Sequence, residues 1–271
     1  MKIRPSVCFI LLGLLLVLLF AADLLLGSVS LAAGEVVRVL TGHSSDPQAT
    51  TLVTHFRLPK AVSAIVVGAA LSASGLQMQT LFRNPLAGPY ILGISSGASL
   101  GVSLFLLGAP LLGISFASEA LRNVGIVGSA WIGGALILLV IMAVSARLKD
   151  IMAILILGMM FGSAASAVVQ ILQYLSTDSA LKSFVIWTMG SLGGVSLAQL
   201  GLMSGIVLAG LILSVYLIKP LNLLLLGENY ARTMGLNVRI TRLLLFVSTT
   251  LLAGTVTAFC GPIGFIGIAV P

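Results

Sequence analysis

Residues 151–175 read IMAILILGMMFGSAASAVVQILQYL, a run without one charged side chain. About 20 mostly apolar residues carry an α-helix across the hydrocarbon core of a bilayer, and this run is long enough. In lipid every backbone N–H and C=O needs a partner within the protein, which leaves helices and closed barrels. Barrel strands show short segments of alternating hydrophobicity, whereas this run is continuously apolar. It reads as a membrane-spanning helix, and the pattern repeats outward from it. No charged residue occurs between Arg83 and Glu119, Arg122 and Arg147, Asp150 and Asp178, Lys182 and Lys219, or after Arg242. Spans are expected near 6–27, 61–82, 92–108, 124–146, 151–175, 197–218 and 242–260, with an eighth starting around 263 and cut by the chain end. The expected fold class is an all-α polytopic membrane protein, one transmembrane domain over 1–271.

The composition of the 271-residue chain agrees. Hydrophobic residues make up 59% and charged residues 8%, where a soluble domain carries roughly a quarter charged. An ordinary soluble enzyme, a disordered tail and a nucleic-acid binder are excluded. The net charge of +7 fits loop charges that orient spans in the lipid bilayer. With the N-terminus in the cytoplasm, the inside holds Lys2, Arg4, Arg83, Arg147, Lys149, Lys219, Arg232, Arg239 and Arg242. The outside then holds Arg38, Arg57, Lys60, Arg122 and Lys182. Lys2 and Arg4 precede the first run as in a signal peptide. That run outlasts an h-region of about 7–15 residues and Asp23 falls where a cleavage site belongs, so a retained span is expected. Cys8 and Cys260 lie in apolar runs, and His43 and His55 in a long outside loop, 28–60. With no carboxylate or Cys at ligand spacing, neither a metal nor a cofactor is expected.

Small residues recur every fourth position: Gly93, Gly97 and Gly101; Gly125, Ser129 and Gly133; Gly158, Gly162 and Ser166; Gly201, Gly205 and Ala209. Such stripes let helix backbones approach closely in lipid. The middle of every span lacks charge, and intramembrane carboxylates or histidines are what ion-coupled carriers use. What remains inside is Gln77, Met78 and Gln79 near the end of the second span, and Met159, Met160, Ser163, Ser166, Gln170 and Gln173 on the fifth. That inventory suits a bulky solute held without a strong grip. No nucleophile with a base and no Walker phosphate loop is present, so no catalytic residue is expected and any motor is another chain.

Segment 57–101 reads RLPKAVSAIVVGAALSASGLQMQTLFRNPLAGPYILGISSGASLG. Arg57-Leu58-Pro59-Lys60, the run from Arg83-Asn84-Pro85-Leu86-Ala87 to Leu92-Gly93-Ile94-Ser95-Ser96-Gly97-Ala98, and Trp187-Thr188-Met189-Gly190-Ser191-Leu192 appear in that order. They are followed by Leu226-Gly227-Glu228 with Ala231 and Leu236, and by Gly261-Pro262-Ile263-Gly264-Phe265-Ile266-Gly267. Together they resemble the FecCD family of ABC-transporter permeases, the vitamin B12, iron-siderophore and haem importers. Two departures stand out. Lys60 replaces the common second Arg of the first motif, losing the bidentate fork. The chain also ends at Pro271, where the family, with ten spans, continues; a C-terminally incomplete chain is expected. Asn84-Pro85 and Gly261-Pro262 break helices. Segments 57–97 and 239–271 share a basic start, a helix with an internal glycine and a Pro break, in the manner of an inverted repeat.

The resemblance implies the permease subunit of a type II importer in the bacterial inner membrane, itself not an enzyme. Its expected partners are a second permease copy in a homodimer, a cytoplasmic ABC ATPase dimer and an extracytoplasmic substrate-binding protein. The substrate would be a ferric siderophore, haem or a corrinoid. Segment 219–242 is the expected ATPase-coupling element, with Leu226, Gly227, Glu228, Ala231, Arg232, Met234 and Gly235. Gly227, Ala231 and Gly235 form a small-residue face for the partner, and Gly235 ends a short helix. Arg57 and Lys60, three apart on one helical face, are expected to dock the binding protein. Met159, Ser163, Ser166 and Gln170 are expected along the translocation path, and the small face of Gly158, Gly162 and Ser166 against a neighbouring helix. Two rivals are a self-contained secondary carrier or channel with no ATPase partner, and a structural membrane anchor.

Overall fold

The computed structural model describes residues 5–27, 29–44, 46–114, 118–145 and 151–271. Lys2, Arg4, Arg147 and Lys149, which contribute to the expected orientation, lie outside the described residues. The helices in chain order are α1 (Pro5–Leu25), α2 (Ala33–Leu40), α3 (Pro47–Leu52), α4 (Leu58–Phe82), α5 (Ile94–Ser103), α6 (Ala109–Leu111), α7 (Glu119–Ser145) and α8 (Ile151–Leu175). They continue with α9 (Asp178–Thr188), α10 (Leu197–Tyr216), α11 (Ile218–Leu226), α12 (Glu228–Thr233), α13 (Val238–Thr249), α14 (Thr255–Cys260) and α15 (Ile266–Ala269). Wider π-helical turns at Val53–Arg57, Leu104–Gly108 and Thr250–Gly254 join α3 to α4, α5 to α6 and α13 to α14. Among the described residues, seven helical stretches are long and apolar enough to cross a membrane, and the fifth is Ile151–Leu175. The second begins earlier than the apolar pattern implies, at Pro47 rather than near 61. The expected outside loop is therefore largely helical, because Asp46 caps α3 by accepting from the Gln48 N–H at 2.9 Å and Pro47 opens the first turn.

Where one domain is expected, the chain divides into two compact units. The first comprises residues 1–65 and 192–200. Its core gathers Leu24, Val36, Val39, Ala49, Val53 and Ala61. α2 buries Val36 and Val39 and leaves Glu35 and Arg38 paired at 3.2 Å outside. That apolar patch gathers α2 and α3 against the end of α1 and the start of α4.

The second unit comprises residues 66–191 and 201–271. Its largest core holds Met78, Phe82, Leu92, Ile94, Ile141, Ile154, Leu245 and Phe246. The glycine stripes set its backbone approaches. A Cβ on Gly97 would lie 2.6 Å from the Gly133 carbonyl oxygen, and one on Gly101 2.0 Å from that of Ser129. α5 and α7 thus meet backbone to backbone along two of the expected stripes. On α8, a Cβ at Gly158 would lie 2.5 Å from the Ile91 carbonyl oxygen. The fourth stripe differs: Gly201 and Gly205 have no described neighbour within 4 Å of a Cβ. α15 packs beside the end of α4 and the 3₁₀ turn Pro89–Leu92. A Cβ at Gly267 would meet Pro89 Cδ at 2.6 Å, and Gln79 donates to the Ile268 carbonyl at 3.0 Å.

Candidate functional site

α8 places its residues on two faces. Ile154, Gly158, Gly162, Ala165 and Val169 are buried. Met159, Ser163, Ser166 and Gln170 are exposed and line an open groove of about 610 Å³. The other wall brings Tyr90, Ile91, Gly93 and Ser96. This wall begins where Gly93, at φ 72°, ends the 3₁₀ turn Pro89–Leu92 and starts α5. That left-handed conformation favours glycine. The small face holds α8 against Ile91 and Ser96 through Gly158 and Gly162, while Ser166 opens onto the groove. The described lining has no charged group. Its exposed side chains offer hydroxyls, one amide and a thioether, groups that contact a large solute weakly at many points.

Gln77 and Met78 have a different place from the one expected. Both are buried, at 2% and 0% exposure. Gln77 donates to Ser214 at 2.7 Å and to Ser248 at 3.0 Å, and accepts from Thr249 at 3.2 Å. This knot ties α4, α10 and α13 together. Buried in lipid, an amide must satisfy its hydrogen bonds inside the protein, and these three hydroxyls do so.

The segment expected to couple folds as α11 and α12, joined at Gly227. Glu228 opens α12, where a carboxylate suits the helix dipole. Its Oε1 lies 2.6 Å from Arg242 Nη2 and 3.4 Å from Arg232 Nη2. Gly235, at φ 83°, follows the last turn, and the Leu236 N–H donates to the Ala231 carbonyl at 3.0 Å. The expected small outward face does not form. Ala231 is fully buried in the unit's own core, and Gly235 lies beyond a helix of only six residues. Outward instead point Leu226, Tyr230 and Met234, each at least half exposed, with Arg232 beside them.

In the first unit Arg57 and Lys60 part company. Arg57 ends a π-helical turn and is 7% exposed. Its guanidinium donates to the carbonyls of Leu24 at 2.8 Å, Leu25 at 3.0 Å and Val29. The C-terminal carbonyls of a helix lack partners and carry negative potential, so a cation settles there. Lys60 stays half exposed and pairs with Asp23 at 2.7 Å. Arg57 and Lys60 thus share no exposed face.

Residues 14–271 match the FecCD transport family. The chain belongs to that family. It is 38% identical to the hemin transport system permease protein HmuU of Yersinia pestis, over all of this chain and 78% of that relative. It is 37% identical to the vitamin B12 import system permease protein BtuC of Escherichia coli O127:H6, over 89% of this chain and 71% of that relative. A solved structure of a metal-chelate type ABC transporter in an inward-facing conformation superposes with TM-score 0.81 at 30% identity, over 98% of this chain and 79% of that one. As a FecCD protein the chain is an all-α, multi-pass ABC importer permease.

The FecCD-like motifs of the sequence occupy the turns of the fold. Arg83, at φ 49°, ends α4, and Asn84 accepts from the Leu86 N–H at 2.9 Å in the turn with Pro85. Gly261 and Pro262 follow α14, where a Cβ at Gly261 would lie 2.4 Å from the Trp187 carbonyl oxygen. Sequence reading missed Arg242, Asp23 and the Gln77 knot as interacting groups. The signal was present as isolated polar residues near span ends, but only three-dimensional proximity pairs them.

Proposed function

We propose that this chain forms the path of an ATP-driven importer for a large chelate or ring compound: haem, a corrinoid or a ferric siderophore. The observation that carries this reading is the uncharged groove on α8, bordered by Met159, Ser163, Ser166 and Gln170. A charged lining would grip such a solute too tightly to release it. The names of the haem and vitamin B12 permease relatives support the substrate class. ATP hydrolysis belongs to a cytoplasmic ATPase dimer, delivery to an extracytoplasmic binding protein, and the groove is completed by a second copy of the chain. The N-terminus is cytoplasmic, which places the α11–α12 segment at the ATPase and Lys60 at the binding protein. Leu226, Tyr230 and Met234 supply the apolar part of the ATPase contact.

The test is uptake by inner-membrane vesicles from bacteria lacking their own permeases, supplied with this protein, its ATPase and binding protein. Labelled haemin, cobalamin and a ferric siderophore are the probes. ATP-dependent uptake of one of them is expected. Uptake that persists without any ATPase would establish a secondary carrier instead.

A further inference from the structure

We infer that Arg83, Glu228 and Arg242 form a polar link carrying movement of the α11–α12 segment into the spans, with Glu228 acting inside the protein rather than at its surface. The inference rests on the importer reading above. Arg83 terminates two helices at once. Its backbone closes α4, where the Asn84 N–H donates to the Gln79 carbonyl at 3.1 Å. Its side chain donates to the Leu224 carbonyl, near the end of α11, at 2.6 Å. The last carbonyls of a helix have no intrahelical donors, so this charge-assisted bond fixes the end of α11 to the end of α4.

Glu228 makes the second tie. Its carboxylate is about one-third exposed, whereas the Arg242 side chain is 9% exposed. The pair is short, at 2.6 Å, and joins the first residue of α12 to α13. Arg232 lies further away, at 3.4 Å, with a side chain 58% exposed. An exposed i, i+4 pair of that kind contributes little, so the tie to α13 dominates. Between the two ties lies a cavity of about 240 Å³ lined by Phe82, Arg83, Leu224, Glu228, Arg242 and the first residues of α8, Ile151 and Met152. α8 is the helix whose later turns border the groove. A displacement of the α11–α12 segment would therefore pull on α4 through α11 and on α13 through α12, with free volume beside the start of α8 to accommodate its shift. Packed interfaces of this kind switch between discrete arrangements rather than deform continuously.

The test measures ATP hydrolysis and haemin or cobalamin uptake together, in the assembled complex reconstituted in liposomes. Glu228→Gln and Arg83→Gln are expected to keep ATPase binding and hydrolysis while uptake per ATP falls about 5-fold or more, the lower end of usual coupling strengths. The double exchange Glu228→Arg with Arg242→Glu should recover most of the ratio lost in Glu228→Gln, showing that the pair carries it; a purely structural role would instead lower ATPase binding and hydrolysis along with uptake. An unchanged ratio in both single variants, measured beside an active wild type, overturns the link alone. A wild type that neither holds the ATPase nor takes up a probe overturns the importer reading and the link with it.

Discussion

Arg57 donates through Nη1 to the carbonyl oxygen of Leu24 at 2.8 Å, closing the end of α1 from 33 positions further along the chain. The space for this clasp is made by Gly27, where a Cβ would lie 2.9 Å from Arg57 Nη2. Arg57→Ala leaves three carbonyls without their donor and should cost the first unit about 2–3 kcal/mol. Lys60→Ala removes only a half-exposed pair and should cost under about 1 kcal/mol. Thermal unfolding in detergent, read with proteolysis between α1 and α3, distinguishes them; equal behaviour would refute the clasp.

Close approach of α5 and α7 makes a second prediction. Gly101→Val would drive a side chain into the Ser129 carbonyl. Overpacking at backbone contact costs about 3 kcal/mol or more, and little folded protein should be recovered. Gly205→Ala meets nothing within 4 Å and should leave the yield unchanged. Size-exclusion profiles of the two variants decide the matter.

The Gln77 knot predicts a graded loss. Gln77→Leu keeps the bulk but leaves Ser214, Ser248 and Thr249 without the amide. Ser214 still donates to the Gly210 carbonyl at 2.8 Å, which limits the damage. The expected cost is about 1–2 kcal/mol, in the upper range for hydrogen bonds between membrane helices. A melting temperature equal to wild type would show that the knot adds nothing.

On the α11–α12 segment, burial separates folding from partnership. Ala231→Trp should cost about 3 kcal/mol or more, because the site lies inside the core. Gly235→Leu forces a side chain to φ 83° and should cost roughly 1–2 kcal/mol. Tyr230→Ala and Met234→Ala, both exposed, should fold normally yet recover less ATPase on co-purification. Full recovery by the exposed variants would move the contact elsewhere.

The two faces of α8 can be read by thiol chemistry. In a background with Cys8 and Cys260 replaced, single cysteines at Met159, Ser163, Ser166 and Gln170 should react with a water-soluble maleimide. Cysteines at Ile154, Ala165 and Val169, all buried, should not. Uniform reactivity around the helix would remove the groove.

The sequence alone determined the membrane class, because runs such as 151–175 have no soluble solution for so much apolar surface. It also determined the breaks at Pro85 and Pro262 and the close approaches at Gly97 and Gly133, since these follow from local backbone chemistry and a four-residue period. Its ordered motifs carried the family. What periodicity could not supply was pairing over long separations. Arg57 reads as a surface cation until α1 brings its carbonyls to it, and Gln77 as a lining group until Ser214, Ser248 and Thr249 surround it. Ala231 fits an outward small face on a helical wheel, yet it is the core that takes it. Tertiary structure decided Arg57 and Gln77 because an unpaired buried charge or amide costs more than local preference can return. Of the six residues of α12 the core takes Ala231, while Tyr230 stays exposed.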